Sequence, residues 1–442
     1  MFKNVKTYIF RNEHLREAIS LEVNPITSDF EKKLEKYAEA VLKVAINLQP
    51  GQRLLIGAPS YFILGVPLEL VPLIRVITKK AYQMGAKFVD VMWKDDVINR
   101  IRFQHALKNS FEEYPNWRVE EAIKLAKSGD AILFIGSFDP SLLDGQDPSL
   151  ISKYVEICMK HYKPLLDLRH QNAMNYTIIA PPISGWANIV FSNLAHNECN
   201  KKLWETMFEI CRVKQQDPTI AWRNHIKELQ SRCNYLNQKQ YNALKMTALG
   251  TDLMVGLVKG HIWMSGGMKT QNGINFVANF PTEEICTVPH RDKTEGLVSA
   301  TKPGNLTVDL KLTFSNGKVV EATAREGEEF LHKILKTDEG STRLGEVALV
   351  PHSSPISQSG LIFYNILIDE NASCHLALGQ CLRPCIKNGE KMSDDDLLAI
   401  GANISGNHYD FMIGSDKMDV DGILEDGTAE PVMRNGEWAF NV

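Results

Sequence analysis

Asp130-Ala-Ile-Leu-Phe-Ile-Gly136 is an apolar run bounded by Ser128-Gly129 and Gly136, too short for a helix and without polar alternation. Such a strand is buried from both sides, as happens in a parallel sheet covered by helices. The chain on either side repeats the pattern. Upstream, Arg53-Leu-Leu-Ile-Gly-Ala58, stopped by Pro59, and Lys87-Phe-Val-Asp-Val-Met-Trp93 predict two further strands. Downstream, Pro164-Leu-Leu-Asp-Leu168 and Tyr176-Thr-Ile-Ile-Ala180 predict two more. Helical patterns alternate with them. Ser28-Asp-Phe-Glu31 has the form of a capping box, and Leu34, Tyr37, Ala38, Val41, Leu42, Val44 and Ala45 follow it at helical spacing. A helix through Val71–Met84 tolerates Pro72 in its first turn and ends at Gly85. Residues 28–237 therefore predict an α/β domain with a mostly parallel sheet.

A helical stretch from Trp186 to about Asn237 closes that half, with Trp204, Phe208, Ile210, Ile226 and Leu229 as core candidates. Beyond it the texture changes to short alternating runs: Leu253-Met-Val-Gly-Leu-Val258, Leu306-Thr-Val-Asp-Leu-Lys-Leu-Thr-Phe314 and Lys318-Val-Val-Glu-Ala-Thr323. Ser315-Asn-Gly317 between the last two is a hairpin signal, and Glu326–Leu335 predicts a helix. Residues 238–442 are expected to form a sheet-rich α+β domain. Residues 1–27 read as an extension, an arm that packs on the body or on a second subunit.

At 442 residues the chain exceeds one ordinary core, so two domains are the default. A net charge of −4 and the lack of a Lys/Arg run argue against nucleic acid as partner. No stretch is long and apolar enough to span a membrane, and the start lacks the apolar core of a secretory signal. The eight cysteines show no disulfide spacing, which points to reduced thiols and a cytoplasmic protein.

The chemistry gathers in the second half. In Ser405-Gly-Asn-His408-Tyr-Asp410-Phe-Met-Ile-Gly-Ser415, His408 and Asp410 share one side of an extended segment. An imidazole and a carboxylate converging on one point hold divalent metals. His375, Glu346 and the pair Glu283-Glu284 add donors of the same kind. Each has an ordinary reading taken alone: His375 as a satisfied core histidine, Glu346 paired with Arg343. Of Glu283 and Glu284 only one faces inward, leaving the other for solvent or for Arg291. Together they make a two-metal hydrolytic site the better account. Cys374, Cys381 and Cys385 lack the paired spacing of a zinc-thiolate site. No dinucleotide fingerprint or nucleophile elbow is present. His261-Ile-Trp263-Met-Ser-Gly-Gly267 suits a pocket lining or a hairpin tip.

Several stretches carry a resemblance: Pro281-Thr-Glu-Glu-Ile285, the run from Thr337 to Pro351, Ser354-Pro-Ile-Ser-Gln-Ser-Gly360, Asp369-Glu-Asn-Ala-Ser-Cys-His375 and Asp410 through Gly422. From about Ser28 to Val442 the chain resembles the aminopeptidase T/aminopeptidase S family of metallopeptidases. The resemblance implies a hydrolase that removes N-terminal residues from peptides having a free amino terminus. It implies two divalent ions, zinc or cobalt, with magnesium or manganese as alternatives. The ligands it implies are Glu284, the second of its pair, with Glu346, His375, His408 and Asp410, in a homodimer with the site near the subunit contact. Glu346 or Glu284 would bridge the metals, and Glu283 is a candidate proton shuttle beside Glu346. One departure stands out: the family has a tyrosine seven residues after the histidine of the Asp-Glu-Asn motif, where this chain has Leu382. A metal-binding homologue with weakened or absent catalysis is the rival expectation.

Overall fold

A computed structural model describes residues 28–60, 63–304 and 307–442, so the extension over 1–27 lies outside the described residues. The first element of the described residues is α1 (Asp29–Ala40), whose Ser28 and Glu31 form the reciprocal capping box expected of them. It continues through β1 (Arg53–Ile56), α2 (Val71–Gln83), β2 (Phe88–Val91), α3 (Asn116–Lys127) and β3 (Ala131–Ile135). Then come α4 (Pro148–His170), β4 (Tyr176–Ile179), α5 (His196–Ile210) and α6 (Pro218–Lys239). The second half holds β5 (Ala243–Ala248), β6 (Thr251–Leu257), β7 (Met264–Ser265), β8 (Asn279–Phe280), β9 (Ile285–Thr287) and β10 (Pro289–Ser299). After these follow β11 (Lys311–Ser315), β12 (Lys318–Thr323), α7 (Glu328–Leu335), β13 (Leu344–Leu349), β14 (His375–Gly379) and β15 (His408–Met412). The chain closes with β16 (Asp419–Ile423), β17 (Ala429–Arg434) and β18 (Glu437–Trp438).

The first sheet is parallel throughout, in the order β8-β4-β3-β1-β2. Its apolar strands feed two cores, one on each face. Leu54, Ile56, Leu133 and Ile135 pack with α1, α2 and α5, while Leu55, Ile132 and Phe134 pack with α3 and α4. The α/β expectation holds. One expected strand does not: Pro164–Leu168 lies inside α4, with Pro164 in the helix interior. Tyr154, Cys158, Tyr162, Leu165 and Arg169 are buried at steps of three and four, so helical packing outweighs the break in hydrogen bonding at Pro164.

The second half stacks two antiparallel sheets. Five strands run in the order β15-β14-β13-β9-β7, and eight in the order β12-β11-β10-β6-β5-β16-β17-β18. Leu344, Val347, Leu349, Leu376, Leu378 and Phe411 of the smaller sheet share a core with Leu244, Leu253, Val255, Val298 and Val420 of the larger. The hairpin at Asn316-Gly317 forms as expected, with φ of 51° and 75°. Of the strand expected over 306–314, Leu306 lies outside the described residues, and the strand itself runs over Lys311–Ser315. The two halves are stitched together by β8, which leaves the second half to extend the first sheet beside β4. Phe280 is fully buried there, its ring 4.5 Å from Trp222 and 5.9 Å from Tyr37. Five residues later the same segment enters the smaller antiparallel sheet as β9.

Phe411 is 1 % exposed in the core between the stacked sheets. Replacing it with alanine should cost about 3–5 kcal/mol. A urea unfolding curve with an unchanged midpoint would contradict the shared core.

Candidate metal centre

Because one face of the five-stranded sheet is committed to the core, alternate residues must point the other way. On β13 these are Glu346 and Ala348; on β14, His375, Ala377 and Gly379; on β15, His408 and Asp410. Glu284 directly precedes β9, two residues before Cys286, which pairs with Ala348. The register sets Glu346 opposite Ala377 and Ala377 opposite Asp410, with Gly379 opposite His408 and Ala348 opposite His375. The middle strand thus offers only a methyl group and a glycine between the carboxylates and the rim imidazole. That leaves room for something between them.

Two groups of donors result, Glu284, Glu346 and His375, and Glu346, His408 and Asp410; within each, one ligand atom per residue lies within 4.8 Å of the others. Glu346 belongs to both. Its Oε2 is 3.1 Å from His408 Nε2, and its Oε1 is 3.9 Å from His375 Nε2. Glu284 Oε2 is 3.2 Å from His375 Nε2, and Asp410 Oδ1 is 3.3 Å from His408 Nε2. The His375 side chain is 1 % exposed and that of His408 31 %, so the first group is enclosed and the second opens on a rim.

Each imidazole is oriented from behind. His375 Nδ1 donates to Ser373 O at 3.1 Å, and His408 Nδ1 donates to Gln380 O at 2.9 Å. A carbonyl only accepts, so each ring turns Nε2 toward the carboxylates. Glu284 Oε2 is buried there, facing His375 Nε2 but not in hydrogen-bonding alignment with it. The cluster needs positive charge. Burial would push His375 down, yet Glu284, Glu346 and Asp410 outweigh it and hold the imidazole at about 10. His408 is likewise held well above the ordinary imidazole range, burial being overcome by Asp410 and Glu346. Burial raises the Glu284 carboxyl, while Asp410 falls below its usual range because His408 outweighs its burial. Carboxylate oxygens and imidazole nitrogens arranged about one shared carboxylate suit a divalent cation of hard or borderline character.

Glu283 is not brought to the cluster. Its carboxylate forks onto Arg212, at 2.5 and 3.0 Å, rather than pairing with Arg291. Arg343 does not pair with Glu346 either; it donates to Arg291 O at 2.7 Å and to Asp292 at 2.5 Å. Glu370 is an acidic group that the sequence does not single out. Burial, then Glu284 and Asp410, push its carboxyl well above the ordinary range, and its Oε1 accepts from Asn279 Nδ2 at 3.3 Å and from Asn371 Nδ2 at 3.4 Å. Its signal was its place in Asp369-Glu-Asn371, hidden because Asp369 and Glu370 look alike. Asp369 accepts the N–H of Phe363 and of Asn365 instead. Among the described residues the cysteines form no metal-holding group. Leu382 packs in an apolar cluster with Cys286 and Ala348, which share the face of the ligand candidates.

Comparison with known proteins fits this geometry. A family model described as thermophilic metalloprotease (M29) matches residues 30–438. Aminopeptidase 2 of Geobacillus stearothermophilus is 44 % identical over 420 residues, spanning 93 % of this chain and 99 % of its own. Aminopeptidase AmpS of Bacillus subtilis is 40 % identical over 415 residues, 93 % of this chain and 99 % of that one. The solved structure of wild-type AmpT from Thermus thermophilus superposes with a TM-score of 0.86 at 37 % identity, covering 93 % of this chain and all of that one.

Gly345 sits in the bulge between Leu344 and Glu346, and a Cβ there would lie 2.4 Å from the carbonyl oxygens of both Gly379 and Gln380. The Gln380 carbonyl is the one that orients His408. Gly345→Ala should displace Glu346 and His408 together and weaken divalent-cation binding about 10–100-fold, the usual cost of disturbing groups that orient ligands. Equilibrium dialysis giving wild-type affinity would contradict this account of the bulge.

Proposed function

Matched over nearly its whole length, this chain belongs to the thermophilic metalloprotease family M29, and we propose that it is a metal-dependent aminopeptidase working through two divalent cations. The observation that carries the proposal is Glu346, common to both donor groups and so fitted to bridge them. Glu284 and His375 would hold the enclosed cation, and His408 and Asp410 the one at the rim. Zinc or cobalt suits this donor set, with magnesium or manganese as alternatives. A pair of cations bound there supplies an acidified water and polarises the carbonyl of the first peptide bond.

The chain's own groups do the rest. Ser373 O and Gln380 O keep the two rings turned inward while charge changes around them. Glu346 is nearest to both halves of the site and would be the ligand they share; the proton of the attacking water would pass to a carboxylate of the site and from there to the amine of the departing peptide. Glu370, held by the side-chain amides of Asn279 and Asn371, is a further carboxyl that would pair with the ammonium of the substrate's first residue. A binding place for a free amine explains why cleavage would be confined to the end of a peptide. Glu283 has no part in proton transfer, since Arg212 occupies its carboxylate.

The reading extends to assembly and place. A homodimer would cover the rim on which His408 stands. All eight cysteines are unpaired, which suits a reducing compartment such as the cytoplasm. Among the described residues no helix is long and apolar enough to cross a membrane. Leu382 favours a second reading, a metal-binding protein with little turnover. An apolar side chain there cannot donate to a tetrahedral oxyanion as a phenol would.

With cobalt or zinc restored, the protein should release p-nitroaniline from leucine p-nitroanilide and leave the N-acetylated compound intact. Equal cleavage of both compounds would refute exopeptidase action, and cleavage of neither would favour the second reading. His408→Ala should lose the rim cation and at least about 100-fold in kcat, in keeping with the loss of a principal electrostatic group. Full turnover in that variant would remove His408 from the site.

A further inference from the structure

The turn at Pro281–Glu284 leads from the first sheet into the ligand-bearing one, and it is held from outside by groups that touch no ligand candidate in either donor group. Arg212, just past the end of α5, adopts a left-handed backbone with φ of 58°. From there its guanidinium reaches Glu283 with both arms, Nη1 to Oε1 at 2.5 Å and Nη2 to Oε2 at 3.0 Å. It also lies 4.5 Å over the Trp222 ring. His225, on α6, completes the clamp. Its Nδ1 is 3.3 Å from Arg212 Nη2, and its Nε2 is 2.9 Å from Thr282 O. From the opposite side, Asn371 Oδ1 accepts the Glu283 N–H at 2.7 Å. Glu283 is 2 % exposed.

A carboxylate buried this deeply is tolerated only with a partner, and a planar fork fixes direction as well as charge. Side chains of consecutive residues in an extended segment leave on opposite sides. Pinning Glu283 on one side therefore fixes where Glu284 emerges on the other, 3.2 Å from His375. We propose that Arg212, through its clamp on Glu283, is a positioning residue that sets Glu284 for the enclosed cation. The inference rests on the two-cation reading above. It makes cation affinity at the enclosed group depend on a residue from the helical part of the first half, about seventy residues earlier in the chain.

The test compares the wild type with Arg212→Met, Arg212→Lys and the double variant Arg212→Met/Glu283→Met. Cation stoichiometry and affinity are read by competition with a chromophoric chelator, and ligand geometry by the visible spectrum of the cobalt-loaded protein. Arg212→Met should weaken one of the two bound cations about 10–100-fold and spare the other. The double variant removes the unpaired buried charge, so it should unfold as cooperatively as the wild type. It should nevertheless keep the weakened cation and an altered cobalt spectrum, which a merely structural pair would not give. Arg212→Lys should recover the affinity only in part, since an ammonium is a point charge rather than a fork. Wild-type affinities and spectrum in the double variant overturn the proposal. Should that variant not fold, Arg212→Lys indistinguishable from the wild type overturns it instead. A wild type that binds no cation overturns the two-cation reading along with it.

Discussion

Carboxylates that crowd onto one sheet face repel one another, and that repulsion is what the rest of this molecule is arranged to sustain. Glu284, Glu346 and Asp410 converge with His375 and His408 in a space mostly shut off from water. Left alone, such a cluster would draw in protons or push its strands apart. The imidazoles answer in part, since the carboxylates hold both rings above their usual range. A divalent cation answers more fully, because it meets several oxygens and a nitrogen at once.

The scaffold tolerates that strain because each strand carrying a donor is anchored on its other face. Val347, Leu376, Leu378 and Phe411 alternate with the donors and are fully or almost fully buried between the two antiparallel sheets. Slipping any of these strands by one residue would expose the apolar set and bury the charges, so the core fixes the register of the site. Small residues finish the arrangement. Ala377 and Gly379 keep the middle strand from filling the space that the flanking donors enclose.

Two adjacent glutamates with identical chemistry end in different worlds. Glu284 meets an imidazole of the site, and Glu283 a guanidinium that belongs to the helical layer. Alternation along an extended segment separates them, and β8 explains why both partners are within reach. That segment leaves the first sheet and enters the second within a few residues, so its turn is flanked by the packing of both. The aromatic contacts of Phe280 with Tyr37 and Trp222 tie the same turn to the first core.

By itself the sequence determined the layers and pointed to most of the side chains that the fold brings together. Apolar runs flanked by caps and glycines disclosed the α/β half, and Ser315-Asn-Gly317 its hairpin in the other half, because local sterics decide such features. His408 and Asp410 were legible because their spacing matches the repeat of a strand. The tertiary structure alone decided what depends on distance in space. Pro164–Leu168 is apolar enough for a strand, yet its neighbours at helical spacing bury it as part of α4. Glu370 could not be separated from Asp369 by its letters, since only the folded chain gives one the side-chain amides of Asn279 and Asn371 and the other the N–H groups of Phe363 and Asn365. Nor could Arg212 be matched with Glu283 across about seventy residues. A pair made by two elements that meet only in the packed molecule leaves no periodic trace in the chain.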